Sequence, residues 1–215
     1  MRLAVWAVAA LVLAAPASAA KGPIPAGLTA AESNAEDIVD VALAHNRAGV
    51  TSIARELRAT ANAQAVALRK DGVPAQLVTE LEQRADRVAR IADTGAYVDI
   101  LLAANAVSAL MPALYAHFAS PVPPAIQTLD YLDREARFRS LAGQPAKVTA
   151  AVKALAHAWA GVRPRVVAAG GASQAAAYSQ HVAAMSRLGP RSAARVQAEA
   201  VHGLELVDTL ERVFG

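Results

Sequence analysis

The sequence predicts an all-α fold, an elongated up-down bundle of four rods in which the third and fourth rods are each broken once. Three observations carry this. Apolar residues recur at alternating three- and four-residue steps through most of the chain, the stripe of an amphipathic helix. Much of the 55% apolar content is alanine and only 4% of residues are aromatic. That balance suits closely packed helices, because alanine is the best helix former and buries little area. Near the middle, Ser120-Pro121-Val122-Pro123-Pro124 concentrates three prolines, which lack the N–H and clash with the preceding turn, so no helix continues through them.

Residues 1–20 stand apart from the fold. Arg2 supplies a positive start, Leu3 to Ala15 an apolar run, and Ala17-Ser18-Ala19-Ala20 a small-residue cleavage site, the pattern of a secretory signal peptide. The run is shorter than the ~20 residues of a membrane span. The expected mature protein is one domain over residues 21–215, located in a periplasm or outside the cell, and not an integral membrane protein. With no cysteine in the chain, disulfides, thiolate metal sites and covalently attached haem are excluded.

Lys21 to Gly27 is a proline- and glycine-rich lead-in, and Thr29 with Glu32 has capping-box spacing. The first rod is expected from about Ala30 to Lys70, with Val39, Leu43, Asn46, Val50, Ile53 and Leu57 on its seam. Asp71-Gly72-Val73-Pro74 stops it with glycine and then proline. A second rod follows to Phe118, with Gly95 on its seam and a kink expected near Ser108 ahead of Pro112. Beyond the proline turn, Ala125 to Leu141 carries Ile126, Leu129, Leu132 and Ala136 on one face. Its other face is dense in charge, with self-pairing expected for Asp130–Arg134, Asp133–Arg137 and Glu135–Arg139. Gly143-Gln144-Pro145 interrupts this rod before the next helix, which runs to Ala169 with Pro164 inside it. Gly170-Gly171 reverses the chain, and Gly189-Pro190 splits the closing rod. No strand-like alternation occurs.

Folding the chain about residues 72, 121–122 and 170–171 places distant polar residues at similar heights. Asp40, Asn105, residues 137–138 and residue 203 share a level, so Asp37, Asp40, Asn105, Arg134 and Glu135 form a candidate ligand pocket near one end of the bundle. Glu199 and His202, three residues apart on one helix face, can reach a common divalent metal ion with Asp40 or Glu135. The Glu-x-x-His spacing of di-iron bundles occurs only this once, which argues against a di-iron centre. His157 and His181 are expected to meet across a hairpin near Met185, a set suited to copper or to non-covalent haem. Asn46 and Asn105 interrupt apolar seams, where buried amides fix helix register or line a pocket.

The formal charge is +3, with −2 over residues 21–120 and +4 over residues 121–215. The excess is small, and export argues against nucleic acid as a partner. No serine elbow, phosphate loop or zinc-protease motif is present, so a non-enzymatic role is expected. Two functions fit: an exported binding protein holding a metal ion or small polar ligand, or an envelope scaffold that docks on a partner protein through its helical faces.

Overall fold

The computed structural model describes residues 22–188 and 192–215. The expectations for residues 1–20 and for the Gly189-Pro190 break lie outside them. The described chain is all-helical, and only an isolated bridge between Pro23 and Ala119 has extended pairing. Its helices are α1 (Ala26–Leu43), α2 (Arg47–Lys70), α3 (Ala75–Ile91), α4 (Tyr97–Ser108), the short α5 (Met111–Tyr115), α6 (Pro124–Leu141), α7 (Pro145–Ala168), α8 (Ala172–Arg187) and α9 (Ala193–Glu211). The α4–α5 break falls at Ser108, as the kink ahead of Pro112 predicts. Pro164 sits inside α7 without ending it. α1 begins at Ala26 behind Pro25, ahead of the capping box expected at Thr29.

The four-rod arrangement is not what forms. The first two rods, expected to run unbroken, are each interrupted, at Ala44–Asn46 and at Ala92–Ala96, while the third is broken at Gly143 as expected. Each long hairpin is thereby doubled over on itself. α1 packs on α2 and α4, α2 on α3, and α3 on α4, closing one ring of four helices. α6 packs on α7 and α9, α7 on α8, and α8 on α9, closing a second. Doubling preserves the hairpin pairings, so α1 still faces α4 and α6 still faces α9.

The stops share one hydrogen-bond pattern, in which two successive N–H groups past the helix end reach back to carbonyls in its last turn. At α2 these are Gly72 N–H to Arg69 O and Val73 N–H to Leu68 O, at 3.1 and 3.0 Å. Gly143 and Gly170 occupy the equivalent place after α6 and α7, and all three glycines have positive φ. After α1 that place is taken by His45 at φ 57°, with His45 N–H to Ala42 O and Asn46 N–H to Val41 O. Asn46 is exposed and caps α2 by accepting from Gly49 N–H at 3.0 Å. The seam asparagine therefore marks a helix start and not a buried register residue.

The two breaks in the first ring are stitched together. Arg47 donates to the carbonyls of Ala92 and Gly95, both at 2.8 Å, and lies over the Tyr97 ring. Tyr97 Oη donates to His45 O at 2.6 Å. These bonds satisfy carbonyls that the ends of α1 and α3 leave without helical partners.

Each ring has its own apolar core. Leu28, Ile38, Leu57, Leu81 and Ile100 lie in the first, and Ile126, Leu129, Leu155, Tyr178 and Leu210 in the second. Phe138 crosses between them: it belongs to α6 yet is fully buried in the core of the first ring. Tyr97–Tyr115 is long and apolar enough to cross a membrane, and 56% of that span is buried inside this fold.

Candidate functional site

Where the rings meet, above the proline turn, α1, α5, α6 and α9 enclose a cleft of about 460 Å³. Glu32 and Glu36 reach it from α1, Tyr115 from α5, Gln127, Asp130 and Arg134 from α6, and Asp208 and Glu211 from α9. Ser120, Pro121 and Val122 line its end, and Ser120 Oγ donates to Val122 O at 2.7 Å, holding the turn. Five carboxylates thus face a single guanidinium.

Arg134 is largely buried, with 12% of its side chain exposed, and its Nη2 serves both Glu36 at 2.7 Å and Asp130 at 2.5 Å. Burial alone would weaken its charge, but Asp130 and Glu36 more than offset that and hold it firmly protonated. One arginine does not neutralise the remaining acids. Burial, with Glu36 and Glu211 nearby, pushes Glu32 up to about 7, although Tyr115 Oη donates to it. Burial likewise pushes Asp130 up to about 7, against the pull of Arg134. Glu211 is raised by burial and by Asp208 and Glu36. The cleft is a concentrated, partly desolvated store of negative charge.

Beside the cleft residues of α6, Asp133 points into the second core. It is fully buried, accepts from Tyr178 Oη at 2.8 Å, and lies 2.9 Å from His181 Nε2. The other ring nitrogen, Nδ1, lies 2.9 Å from Glu199 Oε1. Room for this set comes from Gly203 on α9: a Cβ there would stand 2.5 Å from both Asp133 Oδ2 and His181 Nε2. Trp159 packs against Tyr178, ring centroids 4.8 Å apart, and donates from Nε1 to Ser179 Oγ.

The candidate residues read from the sequence distribute between these places. Asp130–Arg134 and Glu135–Arg139 pair as expected, the latter at 2.7 Å. Asp133 does not pair with Arg137; it turns inward to the buried set. Arg134, placed in one pocket with Asp37 and Asp40 by the sequence, turns inward and pairs with Glu36 instead. Asp40 and Arg137 line a shallower groove beside the cleft with Val201 and Leu204, so the expected level is met there. Asn105 is buried and donates to Glu135 Oε2 and Tyr131 O at 3.0 and 3.3 Å, joining the two rings away from that groove. Asp37 is exposed on α1.

The metal candidates do not converge. Among the described residues no three His, Asp or Glu side chains come together in an arrangement able to hold an ion. Glu199 faces His181, whereas His202 is exposed and turned to Glu205 at 3.6 Å. Side chains three apart on a helix share a face, but here one points into the α8 seam and the other out of it. His157 is exposed on α7 and does not meet His181, which faces α6 and α9 instead.

Sequence reasoning missed Glu32, Glu36, Tyr115, Asp208 and Glu211. A signal existed: Glu32 and Glu36, four apart, place like charges on one helical face, as do Asp208 and Glu211, three apart. Asp133 falls in step with Leu129 and Ala136 on the apolar stripe, and His181 falls in step with Tyr178 and Met185. No family model, no curated protein and no solved structure matches this chain.

Proposed function

We propose that the protein is an exported binding protein holding a small cationic ligand, an organic amine, in the cleft between the two helical rings. Five carboxylates around one guanidinium in a partly buried cleft carry this reading. Charges held close together with little water repel strongly, and each gains when an ammonium group takes the place of the missing counter-charge. The volume suits a small molecule, and the acids of α1, α6 and α9 approach it from three sides. Export rests on the pattern in residues 1–20. The reading is one of binding, on the convergence of acids from three helices around one arginine.

Thermal melts at pH 7.5 with 1,4-diaminobutane, with sodium chloride at matched ionic strength, and with zinc, copper or iron separate the readings. The diamine is expected to raise the melting temperature, as any ligand selective for the folded state does. Asp208→Asn with Glu211→Gln should abolish that rise while leaving helical content unchanged. A rise of the same size with sodium chloride alone, or one that survives the double substitution, would refute the cleft as a cation site.

A further inference from the structure

The buried set around Asp133 has a property that the cleft does not require. A neutral imidazole donates from one nitrogen and accepts at the other, yet His181 has a carboxylate oxygen 2.9 Å from each. With both carboxylates ionised, both contacts are attractive only when both nitrogens carry protons. Asp133 faces the ring from α6 and also receives the Tyr178 hydroxyl from α8 itself. From α9 come Glu199 and, at 6.3 Å between ring centroids, the exposed His202. α7 contributes the Trp159 ring, tilted against Tyr178. Burial pulls the His181 pKa down, but the bonds and charges of Asp133 and then Glu199 outweigh it and raise it above the ordinary value.

The two carboxylates are not equivalent. Asp133 is sealed, with 0% of its side chain exposed, and would be left charged in an apolar core if the ring withdrew from it. Glu199 is 24% exposed and lies at the edge of an open surface cleft that Arg187 and Arg195 also line. When the ring loses one proton, the retained one therefore stays on Nε2, facing Asp133. The bared Nδ1 lone pair then repels Glu199, which alone of the two has water and arginines to turn to.

We propose that His181 is a proton-dependent latch: doubly protonated, it ties α6 to α9 through Asp133 and Glu199; singly protonated, it keeps Asp133 and releases Glu199 towards Arg187 and Arg195. The latch does not depend on the amine reading, although Asp130 of the cleft lies within electrostatic range of Asp133 and Tyr178.

Trp159 reports on it, since its neighbour Tyr178 shares Asp133 with the imidazole. In the full chain carrying W6F, Trp159 is the sole tryptophan, and its fluorescence is expected to show one transition with a midpoint above about 6.5. Glu199→Gln can donate its amide N–H to the bared Nδ1. It should therefore lower the midpoint by at least about one pH unit with helical content retained. Long-range 1H–15N spectra of the unsubstituted protein give a second readout, in which His181 passes from doubly protonated to the Nε2–H tautomer as pH rises. A flat fluorescence titration between about pH 5 and 9, an E199Q midpoint equal to that of the parent, or an Nδ1–H tautomer at high pH would each overturn the latch.

Discussion

Gly203 is held to glycine by what faces it. A methyl group there would press on Asp133 Oδ2 and His181 Nε2 at 2.5 Å, and neither can retreat without breaking a buried ionic bond. Gly203→Ala should lower stability by about 1–3 kcal/mol in a denaturant melt, although alanine favours the helix. Removing the Asp133 carboxylate is more severe, since the Tyr178 hydroxyl and the imidazolium would both lose their buried acceptor. Asp133→Ala is expected to cost about 3–5 kcal/mol. The acids of the cleft act in the opposite sense. Glu32 and Asp130 have folded pKa values of about 7 against ordinary values of 4.5 and 3.8. The folded chain therefore binds more protons than the unfolded one between those limits, and their ionisation penalty, absent below about pH 4, is complete above about pH 7. Melts across that window should show stability falling from these two groups as pH rises, by a few kcal/mol at most, and Asp130→Asn should flatten the fall. At this scale the sequence was partly legible. Asp133, His181 and Gly203 all lie in step with apolar stripes, but a stripe does not say which polar side chain turns in to meet which. The pairing chosen for Asp133 on spacing alone, with Arg137, lost to a buried imidazole 48 residues away.

Helix ends explain which elements could be read. Three of the stops just described put glycine at the left-handed position, and the sequence shows those three as Gly72, Gly143 and Gly170. The fourth uses His45 at φ 57°, a residue with no turn signature, so α1 and α2 read as one rod. Asn46 looked like a polar flaw in a seam for the same reason. At Ala92–Ala96 the break is held by Arg47 from across the ring, a tertiary signal invisible to local periodicity. Asn46→Ala should cost about 1 kcal/mol through loss of the cap to Gly49 N–H. His45→Val should cost about 1–2 kcal/mol, because a β-branched residue resists the left-handed region, whereas His45→Asn should be much milder. Thermal melts of the three variants check the order.

On the scale of the molecule, helical class, the central proline reversal and the hairpin pairings were all within reach of periodicity and turn chemistry. What doubled the first hairpin into a ring was not, because its break at Ala44–Asn46 carries no glycine and its break at Ala92–Ala96 shows only Gly95 on a helical seam. The doubling creates the boundary between rings, and with it the cleft. Phe138 spans that boundary, so the rings are expected to unfold together. Phe138→Ala, at a predicted cost of about 3–5 kcal/mol, should split a single calorimetric transition into two. The cleft itself is best tested by the protons it gives up. An ammonium group seated among Glu32, Asp130 and their neighbours must lower the two raised pKa values and drive protons off. Titrating the protein calorimetrically with 1,4-diaminobutane near pH 7, in two buffers of different ionisation enthalpy, measures that release directly. The account predicts net proton release on binding and tighter binding at pH 8 than at pH 6. Absence of binding at both pH values, or binding with no proton released, would contradict it.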